Sequence, residues 1–136
     1  MPLRKNSRQL VDEASQKITT LTLEEARARL QDPGVLFVDV RDVRELQREG
    51  QIPGAFHAPR GMLEFWVDPE SPYHKPELGP GRELVLYCQS GWRSALAAAA
   101  LADMGVEGVA HIAGGFEAWK AAGLPVGERG APAQPG

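Results

Sequence analysis

The residues best suited to chemistry lie in one short segment around the chain's single cysteine. In LVLYCQSGWRS, Cys88 follows an apolar run and precedes a polar turn that contains Gly91 and Arg93. The thiolate is the reactive form of cysteine, and both a helix amino terminus and a nearby cation favour it over the thiol. The segment therefore predicts a nucleophilic cysteine at a turn that leads from a strand into a helix.

The residues after Cys88 form a candidate cradle for an anion bonded to the sulfur. Backbone N–H groups at the start of a helix have no partner within the helix and can bind an anion. Gly91 permits the positive φ that turns these groups inward, and we expect Ser94 to be the N-cap of the helix that follows. The predicted cradle consists of Gln89, Ser90, Gly91, Trp92, Arg93 and Ser94.

A purely structural role is the alternative for Cys88. Free cysteine is among the most buried residue types and often packs as a small hydrophobic side chain. Such a cysteine does not require a glycine-bearing polar loop, an arginine and a helix start directly after it. The context therefore favours a functional cysteine.

Composition limits the other possibilities. The chain has 136 residues, 43% of them hydrophobic and 24% charged, which suits one domain. One cysteine cannot form an internal disulfide, and with three scattered histidines it offers no metal site, so we expect neither metal nor cofactor. The net charge of -3 argues against nucleic acid as a partner. No apolar run approaches the ~20 residues that span a bilayer, and the N-terminus lacks a signal-peptide pattern, so we expect a cytoplasmic protein without a membrane partner.

Strand-like and helix-like segments alternate along the chain, which predicts an α/β domain with a mainly parallel sheet and helices on both faces. Thr22 and Glu25 fit a capping box at one helix start. The expected strands are 18–20, 35–40, a short one within 51–59, 83–88 and 109–112, and the expected helices are 23–30, 44–49, 94–104 and 116–122.

Three further segments complete the predicted organisation. We expect residues 1–17 to form an N-terminal extension with a short helix, 18–126 the domain, and 127–136 a disordered tail. Residues 62–81 are proline-rich and are expected to form a long loop, which is usually functional or held down by its own aromatic side chains.

The motif CQSGWRS resembles the CxxGxRS active-site loop of the rhodanese family of sulfurtransferases. Three other stretches agree with that family: VDVRDVREL at 38–46, GQIPGAFHAP at 50–59 and HIAGGFEAWKAAGLP at 111–125. The resemblance runs from about Ile18 to Pro125. It implies the rhodanese fold, a central, mainly parallel five-stranded sheet with helices on both faces. It also implies that Cys88 takes sulfur from a donor such as thiosulfate, becomes a persulfide, and passes the sulfur to a thiol or to cyanide.

Two other functions remain open. The domain could be a sulfur-relay or regulatory binding module whose persulfide passes to a protein acceptor. It could also be a cysteine-dependent phosphatase or arsenate reductase, although phosphatases of this fold have five residues between cysteine and arginine and this loop has four. The loop contains one arginine and no lysine, so thiosulfate is expected to be a poor or surrogate donor.

Several residues outside the loop are assigned structural roles. In the resembled family, the aspartate and arginine of the DVR motif tie loops together by ion pairs, which assigns structural support to Asp39 and Arg41. We expect Glu45 to join that network. His57 and His111 are interpreted as hydrogen-bonded structural histidines.

The start of the proline-rich segment offers a wall for the pocket. Arg60, Phe65 and Trp66 are the candidates, with Trp92 at the mouth of the pocket. Core packing is the alternative for Phe65 and Trp66.

Overall fold

Strands and helices alternate along the chain in the computed structural model, which describes residues 2–130 and 132. Its helices and strands are, in chain order, α1 (Ser7–Lys17), β1 (Thr19–Leu21), α2 (Leu23–Ala28), β2 (Val35–Asp39), α3 (Val43–Glu49), β3 (Phe56–His57), α4 (Leu63–Val67), β4 (Glu83–Tyr87), α5 (Trp92–Asp103), β5 (Val109–Ile112) and α6 (Gly115–Ala121).

The strands form one sheet in the order β1-β5-β4-β2-β3, and every neighbouring pair is parallel. The predicted five-stranded parallel sheet is thus confirmed. β4 lies at the centre of the sheet, so the turn after Tyr87 opens at the carboxyl edge, where ligands bind in open α/β sheets.

Alternate residues of the central strands enter two separate cores. Leu84, Leu86 and Cys88 face the core that includes Ala97 and Leu101 of α5. Val85 and Tyr87 face the opposite core, which contains aromatic residues of α6. Because side chains alternate across a strand, this register places Cys88 on the α5 side of the sheet.

The starts of α2, α3 and α6 agree with the sequence to within one residue, whereas that of α5 does not. Thr22 and Glu25 form the predicted capping box of α2. The prediction that Ser94 is an N-cap is wrong, because α5 already begins at Trp92 and its N-cap is Gly91. The left-handed conformation of Gly91 completes the turn earlier, so Ser94 lies within the first helical turn.

The expected long loop at 62–81 is incorrect in part, because this segment contains α4 and the 3-10 turn Pro76–Leu78, and another 3-10 turn, Arg60–Met62, ends at its first residue. Leu63, Val67 and Leu78 are buried in the core that contains Cys88. The four-residue spacing of Leu63 and Val67 gives one short helix an apolar face, and burial of that face explains why the segment is ordered despite its prolines.

The two ends of the chain lie against the domain where the structure describes them. α1 packs on α5 through the buried Ala14. Of the tail predicted at 127–136, residues 131 and 133–136 lie outside the described residues, whereas Gly127 forms an antiparallel bridge with Gln51. None of the helices in the described part of the chain has the length and apolar character needed to cross a membrane.

Candidate active site

Cys88 occupies the residue after β4, at the carboxyl edge of the sheet. Its side chain is only 1% exposed. The four residues from Cys88 to Gly91 connect the strand to the first turn of α5. The predicted strand–turn–helix setting of the cysteine is therefore present.

Three groups of the turn contact the Cys88 sulfur. The backbone N–H groups of Gly91 and Ser94 donate to Sγ over 3.2 and 3.3 Å. The thiol is 3.5 Å from Ser94 Oγ and donates to it. Because the two N–H groups belong to the start of a 12-residue helix, the positive end of the helix dipole also faces the sulfur. This arrangement can stabilise a negative charge on Cys88.

The conformation of Gly91 is what directs the turn toward the sulfur. Its φ of 108° lies in the left-handed region, as the sequence predicts. In this conformation the Gly91 N–H points at Sγ, and the chain enters α5 one residue later.

The opposite side of the turn is fixed by the start of α6. The N–H groups of Phe116 and Glu117 donate to the carbonyl oxygens of Cys88 and Gln89 over 2.8 and 3.0 Å. Gly115 makes this approach possible, since a Cβ at this position would lie 2.6 Å from the Cys88 oxygen. The turn is thus held from both sides, and its N–H groups stay directed at the sulfur.

Arg93 forms a two-point ion pair with Glu45 at the edge of the site. Nη1 and Nη2 of Arg93 lie 2.8 and 2.9 Å from the two carboxylate oxygens. Hydrogen bonding from Arg93 lowers the pKa of Glu45, and the carboxylate in turn raises the pKa of Arg93. The positive charge predicted for the cradle is therefore largely balanced by Glu45.

Glu45 interacts with Arg41 through its charge, which contributes to the raised pKa of Arg41, but its ion-pair hydrogen bonds are made with Arg93. The donors of Arg41 are already occupied by Asp39, the Gly50 carbonyl and Gln89, at 2.7, 2.7 and 3.2 Å. Glu45 instead supports the loop through Arg93.

Asp39 and Arg41 form a fully buried ion pair beneath the turn. Burial disfavours the charge on Arg41, but the hydrogen bond to Asp39 and the nearby negative charges, chiefly that of Asp39, together outweigh it and raise the pKa of the guanidinium. The guanidinium also lies 4.3 Å from the ring centroid of Phe116 in α6. Arg41 thus joins the end of β2 to the loop and to α6, in agreement with the structural support assigned to it.

The remaining cradle residues are placed around the sulfur rather than on it. The Gln89 side chain accepts from Arg41 and donates to Glu49 over 3.3 Å. Ser90 is exposed. Trp92 is 46% exposed, and the Arg8 guanidinium lies 5.9 Å from its ring centroid.

Of the three residues predicted for the pocket wall, Arg60 and Trp66 contact residues within 56–64, and Phe65 is exposed. Arg60 pairs with Glu64 at 2.7 Å, and Phe65 is 53% exposed. Trp66 packs edge-on against Phe56, with 6.3 Å between the ring centroids. Their role as a pocket wall stays a prediction.

A cleft of about 510 Å³ lies away from the cysteine, at the amino end of β4. It is lined by residues 67–69, 78–82, 84 and 104–107. The carboxyl edge, which carries Cys88, is therefore distinct from this cleft.

Both histidines of the strands are hydrogen-bonded, as expected, but His111 is also connected to the site. His57 Nε2 lies 2.7 Å from the Arg41 carbonyl oxygen. His111 Nδ1 lies 2.9 Å from Ser94 Oγ, which contacts Cys88. Sequence analysis missed this link, although a histidine within the apolar strand VAHI was a signal that its ring needs polar partners.

The sequence of this chain is similar to a known protein family and to several known proteins. The model of the rhodanese-like domain family matches residues 22–122. A protein named sulfurtransferase from Allochromatium vinosum is 34% identical over 110 residues, which cover 80% of this chain and 94% of that protein.

Two other relatives are more similar in sequence but carry no established activity in their names. An uncharacterized protein of Synechocystis is 40% identical over 79% of this chain, which spans only about half, 54%, of that protein. A structure from Rhodopseudomonas palustris is 47% identical, with a TM-score of 0.90, and covers 93% of this chain and 98% of its own. It is described as a protein of unknown function and a possible tyrosine phosphatase.

Proposed function

Because the chain belongs to the rhodanese-like domain family, we propose that it is a sulfurtransferase that carries sulfane sulfur on Cys88. The donor is a small sulfur compound such as thiosulfate, and the acceptor is a thiol or cyanide. The lone free cysteine suits a reducing compartment such as the cytoplasm. No metal or organic cofactor takes part in this proposal.

One observation carries the proposal: two backbone N–H groups converge on the sulfur of a buried cysteine. Hydrogen bonds to an ionised acceptor are roughly twice as strong as those between neutral groups. Donors fixed in the direction of a developing charge stabilise it without reorganisation. The turn is therefore suited to the negative charge that the Cys88 sulfur carries as thiolate before transfer and that lies on the terminal sulfur of the persulfide after it.

The reaction divides into two balanced steps. The Cys88 thiolate attacks the outer sulfur of thiosulfate, a new S–S bond forms, and sulfite leaves with the electron pair of the old S–S bond. An acceptor thiolate or cyanide then attacks the terminal sulfur of the persulfide. This breaks the new S–S bond, yields a persulfide or thiocyanate, and returns Cys88 as the thiolate.

The charge of the loop supports sulfur over phosphate as cargo. Glu45 balances most of the charge on Arg93, so neutral N–H donors supply most of the stabilisation. Such a site suits a monoanionic persulfide better than a phosphate dianion, because arginine binds phosphate through two parallel N–H donors and those of Arg93 face Glu45. The loop also has four residues between Cys88 and Arg93, one fewer than in phosphatases of this fold.

Phosphatase activity is nevertheless the second candidate, since the structure from Rhodopseudomonas palustris is described as a possible tyrosine phosphatase. Arsenate reduction would use the same cysteine. Release of phosphate from an aryl phosphate by the wild type, but not by Cys88→Ala, would support this alternative.

Intact-protein mass spectrometry after incubation with thiosulfate tests the sulfurtransferase proposal. We expect a gain of one sulfur atom that is absent in Cys88→Ser and is removed by cyanide or a thiol. If neither thiosulfate nor an alternative persulfide donor produces the adduct, the proposal is overturned.

The acceptor separates an enzyme from a relay or regulatory module. Repeated turnover with free thiols or cyanide is expected for the enzyme. A protein that accepts one sulfur but turns over only with a protein acceptor would instead be a sulfur-relay module.

A further inference from the structure

A chain of hydrogen-bonded side chains connects the Cys88 sulfur to the surface. It passes from Sγ to Ser94 Oγ at 3.5 Å and from there to His111 Nδ1 at 2.9 Å. It continues from His111 Nε2 to Thr20 Oγ1 at 3.1 Å. Cys88, Ser94 and His111 are 1%, 0% and 5% exposed, whereas Thr20 is an exposed residue of the edge strand β1.

The register of the sheet places these groups together. Thr20 on β1 and Leu86 on β4 are the partners of His111 across its two neighbouring strands. Leu86 is two residues before Cys88, so the His111 ring and the sulfur lie on the same face of the sheet. Ser94 covers that face from the first turn of α5.

The protons available at Ser94 determine which His111 nitrogen carries hydrogen. The Ser94 hydroxyl has a single proton, which it donates to the Gly91 carbonyl oxygen over 3.3 Å, while the Cys88 thiol donates to Oγ. With the Ser94 proton donated to that carbonyl, Nδ1–H of His111 is the donor in the 2.9 Å contact with Oγ. In a neutral ring this leaves Nε2 as the acceptor of the Thr20 hydroxyl proton.

Burial lowers the pKa of His111, which keeps the ring neutral at neutral pH. Within the described residues, no charged side chain is hydrogen-bonded to the ring. Cys88 is the titratable group that reaches it, through Ser94, from the α5 side.

We propose that His111, held by Thr20, is a positioning residue that leaves the Ser94 hydroxyl proton free to bind the ionised Cys88 sulfur. When the thiol loses its proton to a base in solution, the Ser94 hydroxyl turns from the Gly91 carbonyl to Sγ, and His111 Nδ1–H continues to donate to Oγ. With the proton on Nε2 instead, Nδ1 would accept the Ser94 proton and draw it away from the sulfur. The inference rests on the proposed use of Cys88 as a nucleophile.

The pH profile of iodoacetamide alkylation tests this inference, because alkylation reports the thiolate whether or not sulfur is transferred. Loss of a hydrogen bond to a charged group changes the equilibrium constant for forming that charge by about tenfold or more. We therefore expect roughly tenfold slower alkylation of Ser94→Ala, which removes that bond, at a pH below the ionisation of the thiol. His111→Leu leaves the Ser94 hydroxyl without its positioning donor and should also be slower than the wild type. Thr20→Val should show a smaller, several-fold loss in the same direction.

Two further variants separate positioning from packing. His111→Asn keeps an amide that can donate to Ser94 and should restore much of the rate lost in His111→Leu. Thr19→Val, on the neighbouring exposed residue of the same strand, should alkylate like the wild type. Equal profiles for wild type, Thr20→Val and a folded His111→Leu would overturn the inference.

Nitrogen NMR of the wild type provides a readout that needs no variant. We expect the proton of His111 on Nδ1 in the reduced protein, and a proton on Nε2 would overturn the inference. Failure of sulfur loading with a shifted alkylation profile would reject only the sulfurtransferase proposal. Normal loading with unshifted profiles would reject only the role of His111.

Discussion

Gly91 is the residue whose conformation matters most for the reactivity proposed for Cys88. Its φ of 108° is strained for any other residue, although a Cβ would meet only ordinary contact, 3.7 Å from the Gly114 nitrogen. We expect Gly91→Ala to cost about 1–3 kcal/mol of stability through backbone strain. Because its N–H donates to Sγ, the strain should also slow alkylation of Cys88.

Gly105 supplies a matched control for this substitution. It has a φ of 93° at the other end of α5, and a Cβ there would meet open space. Urea unfolding should show similar losses for Gly91→Ala and Gly105→Ala, whereas only the former should change the alkylation rate. An equal change in rate for both would attribute the effect to general destabilisation.

The ion pair between Glu45 and Arg93 predicts a pH-dependent contribution to stability. Hydrogen bonding from Arg93 lowers the pKa of Glu45 below 4.5 in the folded protein. The carboxylate form of Glu45 is therefore more favourable in the folded state than in the unfolded state. That stability is present above about pH 4.5 and is lost as the pH falls through the lower folded-state pKa.

Thermal unfolding of wild type and Glu45→Gln across this range measures the contribution. The wild type should have the higher Tm at neutral pH, and the difference should shrink below about pH 4.5. Other carboxyl groups titrate in both proteins and therefore cancel in the difference. A constant difference down to low pH would contradict an electrostatic origin.

At the scale of elements, the order of strands and helices was predictable because each type leaves a periodic signal. The apolar runs at 35–40 and 83–88 mark strands covered on both faces, and the capping box at Thr22 marks a helix start. The positive φ at Gly91 was predictable from the turn that the strand and helix require. The family resemblance then specified the five-stranded sheet, which is confirmed.

What sequence could not provide depends on contacts between distant segments. Glu45 and Arg93 are 48 positions apart, and only the packing of α3 beside the loop brings them together. Ser94 and His111 meet for the same reason, since α5 crosses the face of β5. The helix at 63–67 is too short to leave a clear periodicity, so prolines around it dominated the prediction.

The packing of α1 on α5 predicts how the N-terminal extension affects the domain. Ala14 faces Ala95 and Ala99 across a closely packed contact of small side chains. Ala14→Leu would overpack it and should cost about 1–3 kcal/mol. Gln16→Leu, at an exposed position of the same helix, should change stability by less than about 0.5 kcal/mol. Urea unfolding measures both, and equal effects would show that the contact tolerates larger side chains.

At the scale of the whole molecule, Arg41 joins most of the parts that hold the site. It lies two residues after the end of β2, pairs with Asp39, and donates a hydrogen bond to the Gly50 carbonyl at the end of α3. It also contacts Gln89 of the loop and stacks on Phe116 of α6. One buried guanidinium therefore links the sheet, two helices and the turn that follows Cys88.

Removal of this guanidinium should be among the most damaging single substitutions. Arg41→Leu leaves the buried carboxyl of Asp39 without its partner, for which the expected cost is about 3–5 kcal/mol. Asp39→Asn in addition to Arg41→Leu removes that unpaired carboxyl, so the double variant should be more stable than Arg41→Leu alone. Urea unfolding of the two single variants and the double variant measures the coupling. Additive losses would contradict it, because they would mean that Asp39 does not depend on Arg41 for its charge to be tolerated in the core.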